Sequence, residues 1–370
     1  MMKVKTAYSS EKDAQAIAAD IQKQIGSFDT RLLLYFASPS IDPEGVSISI
    51  QSHFPESPTM GCSSSGEIVT GQMLDQSVVA MAFGPEIIDD CKIEVINNIQ
   101  TNNSQVDKAF DAFGQYFGTP PSDLPPDEYV GMVLIDGLSL QEENINDRIG
   151  DLTNVSFIGG SAGDDLAFKQ TYIYANGKIY KDAAVLALIK SKAKFDFLKT
   201  QSFKATDKNV VVTKADEPNR KVLEINNKPA TQAYAELTGV PEEKVSDTFF
   251  SHPVGLVFQD DFFVRSPQRT EGQNIYFYCS IKEGMDLKIL DSKDIVKHTQ
   301  DALNSKIEEM GSVSAIVNFN CILRTLELKD KNQTQQYGDI FKEVPTVGFS
   351  TYGESYIGHI NQTATMLLFR

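Results

Sequence analysis

The chain has 370 residues, of which 41% are hydrophobic, and its 50 acidic and 34 basic side chains give a formal net charge of −16. This length suffices for two or three domains, while the acidic surplus excludes the Lys and Arg clusters that nucleic-acid and anionic-membrane binding require. No run reaches the roughly 18 apolar residues of a membrane-spanning helix, and no signal-peptide core follows Met1. The four cysteines form no CxxC pair. We therefore expect a cytoplasmic protein with reduced thiols, no nucleic-acid partner and no membrane association.

Three amphipathic helices are predicted, and a strand follows each. The helices extend from Ser10 to Gly26, from Ser104 to Gly118 and from Ser292 to Gly311, with the serine as N-cap and the glycine as terminator. Acidic residues in the first turns favour the positive helix ends, and these are Asp13, Asp107 and Asp294. Apolar runs predict the central strands at residues 32–36, 129–135 and 315–319.

Residues 190–290 differ from the rest of the chain. Short runs of β-branched and aromatic residues predict several strands, Asn226-Asn227 predicts a turn, and residues 229–237 predict a helix closed by Gly239. We expect this β-rich section to connect two lobes.

A glycine–serine loop that ends in an acid is repeated. GCSSSGE at residues 61–67 matches GFSTYGE at residues 348–354, and GGSAGD at residues 159–164 is a weaker middle copy. Internal repetition indicates duplicated architecture. The sequence thus predicts an α+β fold of layered, pseudo-repeated helix–strand–GxS loop–strand units in two lobes. Pseudo-symmetry would bring the three polar loops together.

Five segments in this order resemble the FIST sensory domain, namely GCSSSGE, FIGGSAGDD, NGKIYKDAAVLALI, NNKPATQAYAELTG and VGFSTYGESYIGHINQT. The resemblance spans nearly the whole chain. It implies a FIST N-terminal domain over residues 30–225 and a FIST C-terminal domain over residues 226–370. It further implies a non-enzymatic sensor of small ligands, such as amino acids, in bacterial signal transduction. The family accompanies kinases and cyclic-dinucleotide enzymes, so the resemblance implies a histidine kinase or a cyclic-dinucleotide enzyme as a partner in trans.

The repeated loops supply most candidate ligand-binding residues. Hydroxyl and backbone N–H groups can hold a carboxylate, and the terminal glutamates can hold an ammonium group. The candidates are Ser63, Ser64, Ser65 and Glu67 in the first loop, Ser161 and Asp164 in the second, and Ser350, Thr351, Tyr352 and Glu354 in the third. The alternative is a purely structural turn, in which Gly66 takes an unusual dihedral and Glu67 caps the backbone.

Four further residues are candidates outside the loops. Arg265 and Arg324 lie in apolar or neutral contexts, where arginine can clamp a carboxylate in bidentate fashion. The alternative for both is a partly buried ion pair. Asn320 and Asn361 flank apolar strands and could face a pocket.

A serine hydrolase is one alternative function. Residues 159–163 match the G-x-S-x-G nucleophile elbow, with Ser161 as nucleophile. His252 could act as the base, with Asp216 or Asp260 as the acid. Two observations oppose this interpretation. No helix is predicted after residues 159–163, and the GxS loops at residues 61–67 and 348–354 lack the G-x-S-x-G spacing.

A haem-bound nitric-oxide sensor is the other alternative. The segments NCILR at 320–324 and GFSTYGE at 348–354 resemble a stand-alone subgroup that includes haem-dependent nitric-oxide sensors. His252 precedes an apolar run and is the candidate axial ligand, with His359 as second choice. An ordinary half-buried histidine is the competing interpretation. The leading interpretation requires no cofactor, and the four histidines predict no metal site.

Overall fold

The structure is a computed structural model that describes residues 2–101, 105–258 and 261–370. The chain forms two compact units. The first comprises residues 1–199, 300–359 and 364–370, and the second comprises residues 200–299 and 360–363. All three predicted GxS loops lie in the first unit, whereas the β-rich section, expected to connect two lobes, is itself most of the second unit.

The first unit contains three copies of one arrangement. The first copy consists of β1 (Val4–Ser9), α1 (Ala14–Ile25), β2 (Leu32–Ala37), α2 (Pro43–His53), β3 (Thr59–Ser63), β4 (Glu67–Val69), β5 (Gln72–Leu74) and β6 (Val78–Phe83). The second consists of β7 (Ile88–Asn97), α3 (Gln105–Phe117), β8 (Tyr129–Ile135), α4 (Glu142–Leu152), β9 (Phe157–Ser161), β10 (Ile173–Ala175), β11 (Lys178–Tyr180) and β12 (Ala183–Ser191).

The third copy begins with β13 (Phe195–Gln201) and resumes after the second unit. The second unit contributes β14 (Phe203–Asp216), β15 (Lys221–Ile225), β16 (Lys228–Pro229), α5 (Ala230–Thr238), β17 (Val254–Phe258), β18 (Asp261–Arg265), β19 (Pro267–Glu271), β20 (Asn274–Phe277) and β21 (Asp286–Ser292). The third copy then continues with α6 (Ile295–Met310), β22 (Ala315–Cys321), α7 (Ile322–Asp330), α8 (Thr334–Asp339), β23 (Thr346–Thr351), β24 (Glu354–Tyr356), β25 (His359–Ile360) and β26 (Thr363–Phe369).

The copies exchange hairpins in a cycle. The strand orders are β1-β6-β2-β3-β10-β11, β7-β12-β8-β9-β24-β25 and β13-β26-β22-β23-β4-β5. Each sheet thus takes its last two strands from another copy: the first sheet from the second copy, the second from the third, and the third from the first. The inner pairs β2–β3, β8–β9 and β22–β23 are parallel, and each exchanged hairpin joins antiparallel.

A glycine marks the same position in each parallel pair. A Cβ atom at Gly61 would lie 1.9 Å from the Tyr35 carbonyl oxygen, one at Gly159 would lie 1.7 Å from that of Val133, and one at Gly348 would lie 2.1 Å from that of Asn318. Only glycine permits such an approach between backbones. The first residue of each GxS motif is therefore needed to pair its strand with its neighbour.

One apolar core joins the three copies. It contains Phe36 and Met81 from the first copy, Leu134 from the second, and Phe319 and Phe349 from the third. On the outer face of the first sheet, α1 and α2 bury a second cluster, and α3 and α4 bury a third against the second sheet. Strands covered on both faces explain why these segments are continuously apolar.

The helix starts differ from the sequence expectation. Asp13, not Ser10, caps α1, because its Oδ1 accepts the backbone N–H of Ala16 at 3.0 Å. Asp294, not Ser292, accepts from the backbone N–H of Lys297 at 2.9 Å, and Ser292 ends β21. A carboxylate competes well for this role, since it also interacts favourably with the helix dipole. Ser104 lies outside the described residues.

The described residues of the second unit form a sheet that packs with α5. The strand order is β18-β17-β21-β14-β15-β20-β19, with β16 paired to β15. Asn226 and Asn227 form the predicted turn with φ of 52° and 61°, and α5 ends at Gly239 with φ of 78°. The predicted α+β class, with repeated helix–strand–loop–strand units, is confirmed.

Candidate functional site

The three GxS loops meet and bond to one another in a closed cycle. The backbone N–H of Gly163 donates to the Ser63 carbonyl at 3.0 Å, that of Tyr352 to the Ser161 carbonyl at 3.1 Å, and that of Ser65 to the Ser350 carbonyl at 3.1 Å. These are corresponding positions of the three copies. The prediction that pseudo-symmetry brings the loops together is thus met in the first unit.

The loop hydroxyl groups largely serve this junction. Ser63 Oγ donates to the Gly163 carbonyl at 2.7 Å, and Thr351 Oγ1 accepts the backbone N–H of Ser161 at 2.8 Å. Ser63, Ser64, Ser161, Ser350 and Thr351 are fully buried. Because buried donors satisfied by the protein gain little from a ligand, the structural interpretation fits these five residues best.

Glu67 is enclosed by its own loop. Its carboxylate accepts the Ser64 hydroxyl, the Ser77 hydroxyl at 2.7 Å and the Ser77 backbone N–H at 3.0 Å. Burial raises the pKa of Glu67 to about 7, although these hydrogen bonds oppose the rise. Glu354 is fully buried and lies opposite Gly160 in the β24–β9 pair.

Asp164 organises the segment that follows the middle loop, residues 164–170. Its carboxylate accepts the backbone N–H groups of Phe168, Lys169 and Gln170 at 2.6–3.0 Å and the hydroxyl of Tyr352. The Phe168 ring stacks on that of Tyr352 with centroids 5.3 Å apart. Burial and the bond to Asp164 both raise the pKa of Tyr352. These contacts fix the segment to the third loop.

The same segment holds residues in a strained conformation. Asp165, Leu166 and Phe168 have φ of 54°, 65° and 50°, a region that costs a leucine or phenylalanine about 1–2 kcal/mol. Such strain persists only where surrounding contacts enforce it, and it concentrates at binding sites and switches.

This segment forms one wall of an open cleft, called here the Asp165 cleft, with a volume of about 320 Å³. Its lining includes Ser65, Asp75, Asp165, Leu166, Leu326 and Lys329. Lys329 Nζ bonds to Asp75 Oδ1 at 2.7 Å, with side chains 43% and 59% exposed. Ser65 is the one predicted site residue among these six.

The carboxyl group of Asp165 has a mixed environment. Its Oδ2 accepts from the Ser38 hydroxyl at 3.3 Å. Partial desolvation raises the pKa of Asp165, the Ser38 hydroxyl opposes the rise, and the negative charge of Asp75 adds to it while Lys329 counteracts it. Two carboxylates and one ammonium leave the cleft with a net negative charge, which suits a ligand carrying an amine.

A second cavity of about 410 Å³, called here the Gln335 cavity, adjoins the cleft. Asp75 and Lys329 line both spaces. The other lining residues include Thr325, Asn332, Thr334 and Gln335 from the third copy, which add amides and hydroxyls to the carboxylate of Asp75 and the ammonium of Lys329.

The third copy departs from the other two on the outer face of its sheet. There Asn320 accepts from Arg324 Nε at 3.0 Å and from the Tyr337 hydroxyl at 2.9 Å, and it donates to Thr325 Oγ1 at 2.9 Å. Thr325 Oγ1 in turn bonds to Ser350 Oγ at 2.7 Å. The corresponding faces of the first two sheets are apolar. Local departures from the folding pattern tend to mark functional sites.

The remaining predicted residues are not among those that line these cavities. Asn320 and Arg324 belong to the buried network beneath the Gln335 cavity, with Arg324 2% exposed. Arg265, at the end of β18, and Asn361 both belong to the second unit. Asn361 is fully buried, and its amide has no hydrogen-bond partner among the described residues.

The hydrolase alternative gains no support. Ser161 ends β9, is fully buried, and its Oγ donates to Glu142 Oε1 at 3.4 Å. A buried hydroxyl bonded to a glutamate is closed to an ester carbonyl. His252 and Asp216 belong to the second unit, whereas Ser161 belongs to the first, and Asp260 lies outside the described residues.

The surroundings of His252 do not fit an axial haem ligand. Its Nδ1 lies 2.8 Å from Ser251 Oγ, and its Nε2 lies 3.5 Å from Asp291 Oδ1. Both ring nitrogens are thus engaged by polar side chains, and iron would have to displace one of them. His359, the second choice, is buried and packs where a Gly353 side chain would stand. Haem binding stays a prediction that this geometry does not favour.

Sequence reasoning missed Asp75, Asp165 and Lys329. Asp165 directly follows GGSAGD at residues 159–164, so the sequence itself indicates that it lies beside a loop. The sequence gives no indication that Lys329 belongs to a site, because a lysine near the end of an amphipathic helix is ordinarily a solvated residue. Asp75 becomes notable only once β5 is known to join the third sheet.

Three copies around one core, with a polar cleft beside their junction, define the class of fold to which the first unit belongs. The FIST N domain matches residues 31–228 and the FIST C domain matches residues 230–356. The chain therefore belongs to the FIST family, whose domains are sensory and associated with signal transduction. The predicted boundary between residues 225 and 226 stays a prediction.

The chain is also similar to an uncharacterized protein of Methanocaldococcus jannaschii. The two are 24% identical over 327 residues, which is 83% of this chain and 63% of that protein. The chain thus spans less than two thirds of this relative. In the described part of the chain, none of the helices combines the length and apolar character needed to cross a bilayer.

Proposed function

We propose that this protein senses a small zwitterionic ligand of the amino-acid class, bound in the Asp165 cleft. The observation that carries the proposal is the chemistry of the lining: a carboxylate at Asp165, an ammonium at Lys329 and apolar side chains at Leu166 and Leu326. The Asp165 carboxylate would accept hydrogen bonds from the ligand ammonium group, and the Lys329 ammonium would donate to the ligand carboxylate.

The ion pair of Lys329 with Asp75 does not preclude this role. Exposed pairs of this kind contribute about 0–1 kcal/mol, and a lysine ammonium has three donors. One donor can therefore remain on Asp75 while another binds the ligand. A volume of about 320 Å³ is at the lower end of the range, about 300–1,000 Å³, typical of ligand pockets.

The signal would arise in residues 164–170. Asp165 belongs to the strained segment that Asp164 and Tyr352 hold in place. A ligand that binds one arrangement of this segment more tightly shifts the population toward it. We propose that a separate histidine kinase or cyclic-dinucleotide enzyme responds to this shift, as the sensory association of the family suggests.

Ligand-induced stabilisation tests the site. Thermal unfolding of the full chain would be followed with a panel of amino acids, and a ligand present at 100 times its Kd should stabilise the protein by about 2.7 kcal/mol. Asp165→Asn retains size and tolerance of positive φ, and Lys329→Met retains the stem. Each should weaken binding at least about tenfold, because a charged hydrogen bond contributes roughly 1.5–3 kcal/mol.

Two matched variants serve as controls. Asp182→Asn also changes an aspartate with positive φ, here 45°, and Lys331→Met removes a lysine that pairs with Glu327 at the end of α7. Neither residue is among those lining the cleft, so both should bind like the parent. No stabilisation by any amino acid, or equal losses in test and control variants, would overturn the proposal.

A further inference from the structure

We propose that the Asp165 cleft and the Gln335 cavity form one continuous site for a short peptide, with the first residue in the cleft and the second in the cavity. The inference rests on the proposed function, because it places the ligand amine at Asp165. It extends that function by naming a ligand longer than a free amino acid.

The two spaces adjoin at a shared wall. Asp75 and Lys329 line both, and their side chains are joined by a bond of 2.7 Å. Both spaces lie in the first unit. In the proposed pose, a ligand anchored in the cleft extends past Lys329, where the ammonium would donate to a peptide carbonyl.

The linings change in character along this path. The cleft offers Leu166, Ile322 and Leu326 together with a carboxylate, which suits an N-terminal residue with an apolar side chain. The cavity adds the amides of Asn332 and Gln335 and the hydroxyl of Thr334 beside the apolar side chains of Met73 and Leu74. Amide N–H and hydroxyl groups can donate to a carboxylate or to a polar second side chain.

The floor of the cavity is fixed from beneath. Thr325 lines it, and Thr325 Oγ1 is bonded to Asn320 and to Ser350. A fully satisfied buried polar network rigidifies its surroundings, so this wall is preorganised for binding. The first two copies bury apolar clusters at the corresponding faces, and the network is therefore a particular feature of the third copy, which supplies Thr325 to the cavity.

Isothermal titration of the full chain with L-leucine and with L-leucyl-L-asparagine tests the inference. The dipeptide should bind about tenfold more tightly, because one or two extra hydrogen bonds contribute on the order of 1 kcal/mol each. Gln335→Ala should weaken dipeptide binding about three- to tenfold and leave leucine binding unchanged. Asp165→Asn should weaken both probes.

Gln300→Ala is the matched control. Gln335 Nε2 bonds to Asp339 at 2.8 Å and Gln300 Nε2 bonds to Asn304 at 2.9 Å, both four residues onward and exposed, and Gln300 is not among the residues lining either space. Gln300→Ala should change neither the leucine affinity nor the dipeptide affinity. Equal binding of leucine and dipeptide, or an unchanged dipeptide affinity in Gln335→Ala, would overturn this inference alone. If neither probe binds, the inference fails together with the leucine-binding form of the proposed function.

Discussion

Glu67 is an acid whose protonation affects folding. The unfolded carboxyl group titrates near 4.5, and burial raises its pKa to about 7 in the folded protein. The folded state thus binds the proton more tightly. The resulting stabilisation is full below about pH 4.5 and is lost as the pH rises through about 7.

Replacing Glu67 by glutamine should remove this pH dependence. Between pH 5 and pH 8 the free energy of unfolding of the parent should fall by roughly 2–3 kcal/mol more than that of Glu67→Gln. Urea unfolding at both pH values measures the difference, and glutamine retains an oxygen that can accept from Ser77. A parent protein whose pH dependence equals that of the variant would show that Glu67 is ionised throughout.

Residue types predicted which loops matter but not the role of each side chain. Serine, glycine and glutamate in a repeated loop fit both a ligand cradle and a structural turn. The choice depends on what else contacts the loop. Here the backbone carbonyls of Ser63, Ser161 and Ser350 accept from residues of other copies more than 90 residues away, and no local pattern carries that information.

At the scale of elements, the three glycines in the parallel pairs give a direct test. Alanine at Gly61, Gly159 or Gly348 would place a methyl group about 2 Å from a backbone oxygen, with no flexible side chain to yield. Each substitution should therefore destabilise by at least the 1–3 kcal/mol, roughly, of an overpacked core. We expect similar losses of stability from the three substitutions, because the glycines occupy corresponding positions in the three copies.

Gly150→Ala is the comparison for these three. Gly150 lies on α4, is exposed, and a Cβ atom there would meet nothing within 4 Å. Alanine should stabilise the helix by about 0.5–1 kcal/mol. Chemical denaturation of all four variants provides the measurement. Near-parental stability of Gly61→Ala would mean that β2 and β3 are less closely packed than described.

The central strands and four of the eight α-helices in the described residues were predicted because their signals are local, whereas α2, α4, α7 and α8 were missed. Apolar periodicity located α1, α3 and α6, and continuous apolar runs located β2, β8 and β22. The N-caps were harder, since serine and aspartate compete within a few residues. The short hairpin strands β4 and β10 have three residues each, too few for a periodic pattern to show which sheet they join.

At the scale of the whole molecule, the three copies of the first unit are held together because each gives a hairpin to the sheet of another copy. The hairpin β4–β5 completes the third sheet, β10–β11 the first, and β24–β25 the second. The repeat in the sequence predicts three similar units, but a unit folded on itself and a unit exchanged in a cycle have the same sequence pattern. Only long-range pairing distinguishes them.

The cycle predicts that residues 1–199 do not fold alone. In that fragment β4 lacks its partner β23 and β9 lacks β24, and the shared core loses Phe319 and Phe349. Far-UV circular dichroism and urea titration should show no cooperative transition. Adding a fragment of residues 300–370 restores the missing strands and should recover one. Residues 200–299 contain every described strand pair of the second unit's sheet and should unfold cooperatively alone, which controls for fragment preparation. Cooperative unfolding of residues 1–199 alone would show that the first two copies are stable without the third, so that the exchanged strands are not needed for folding.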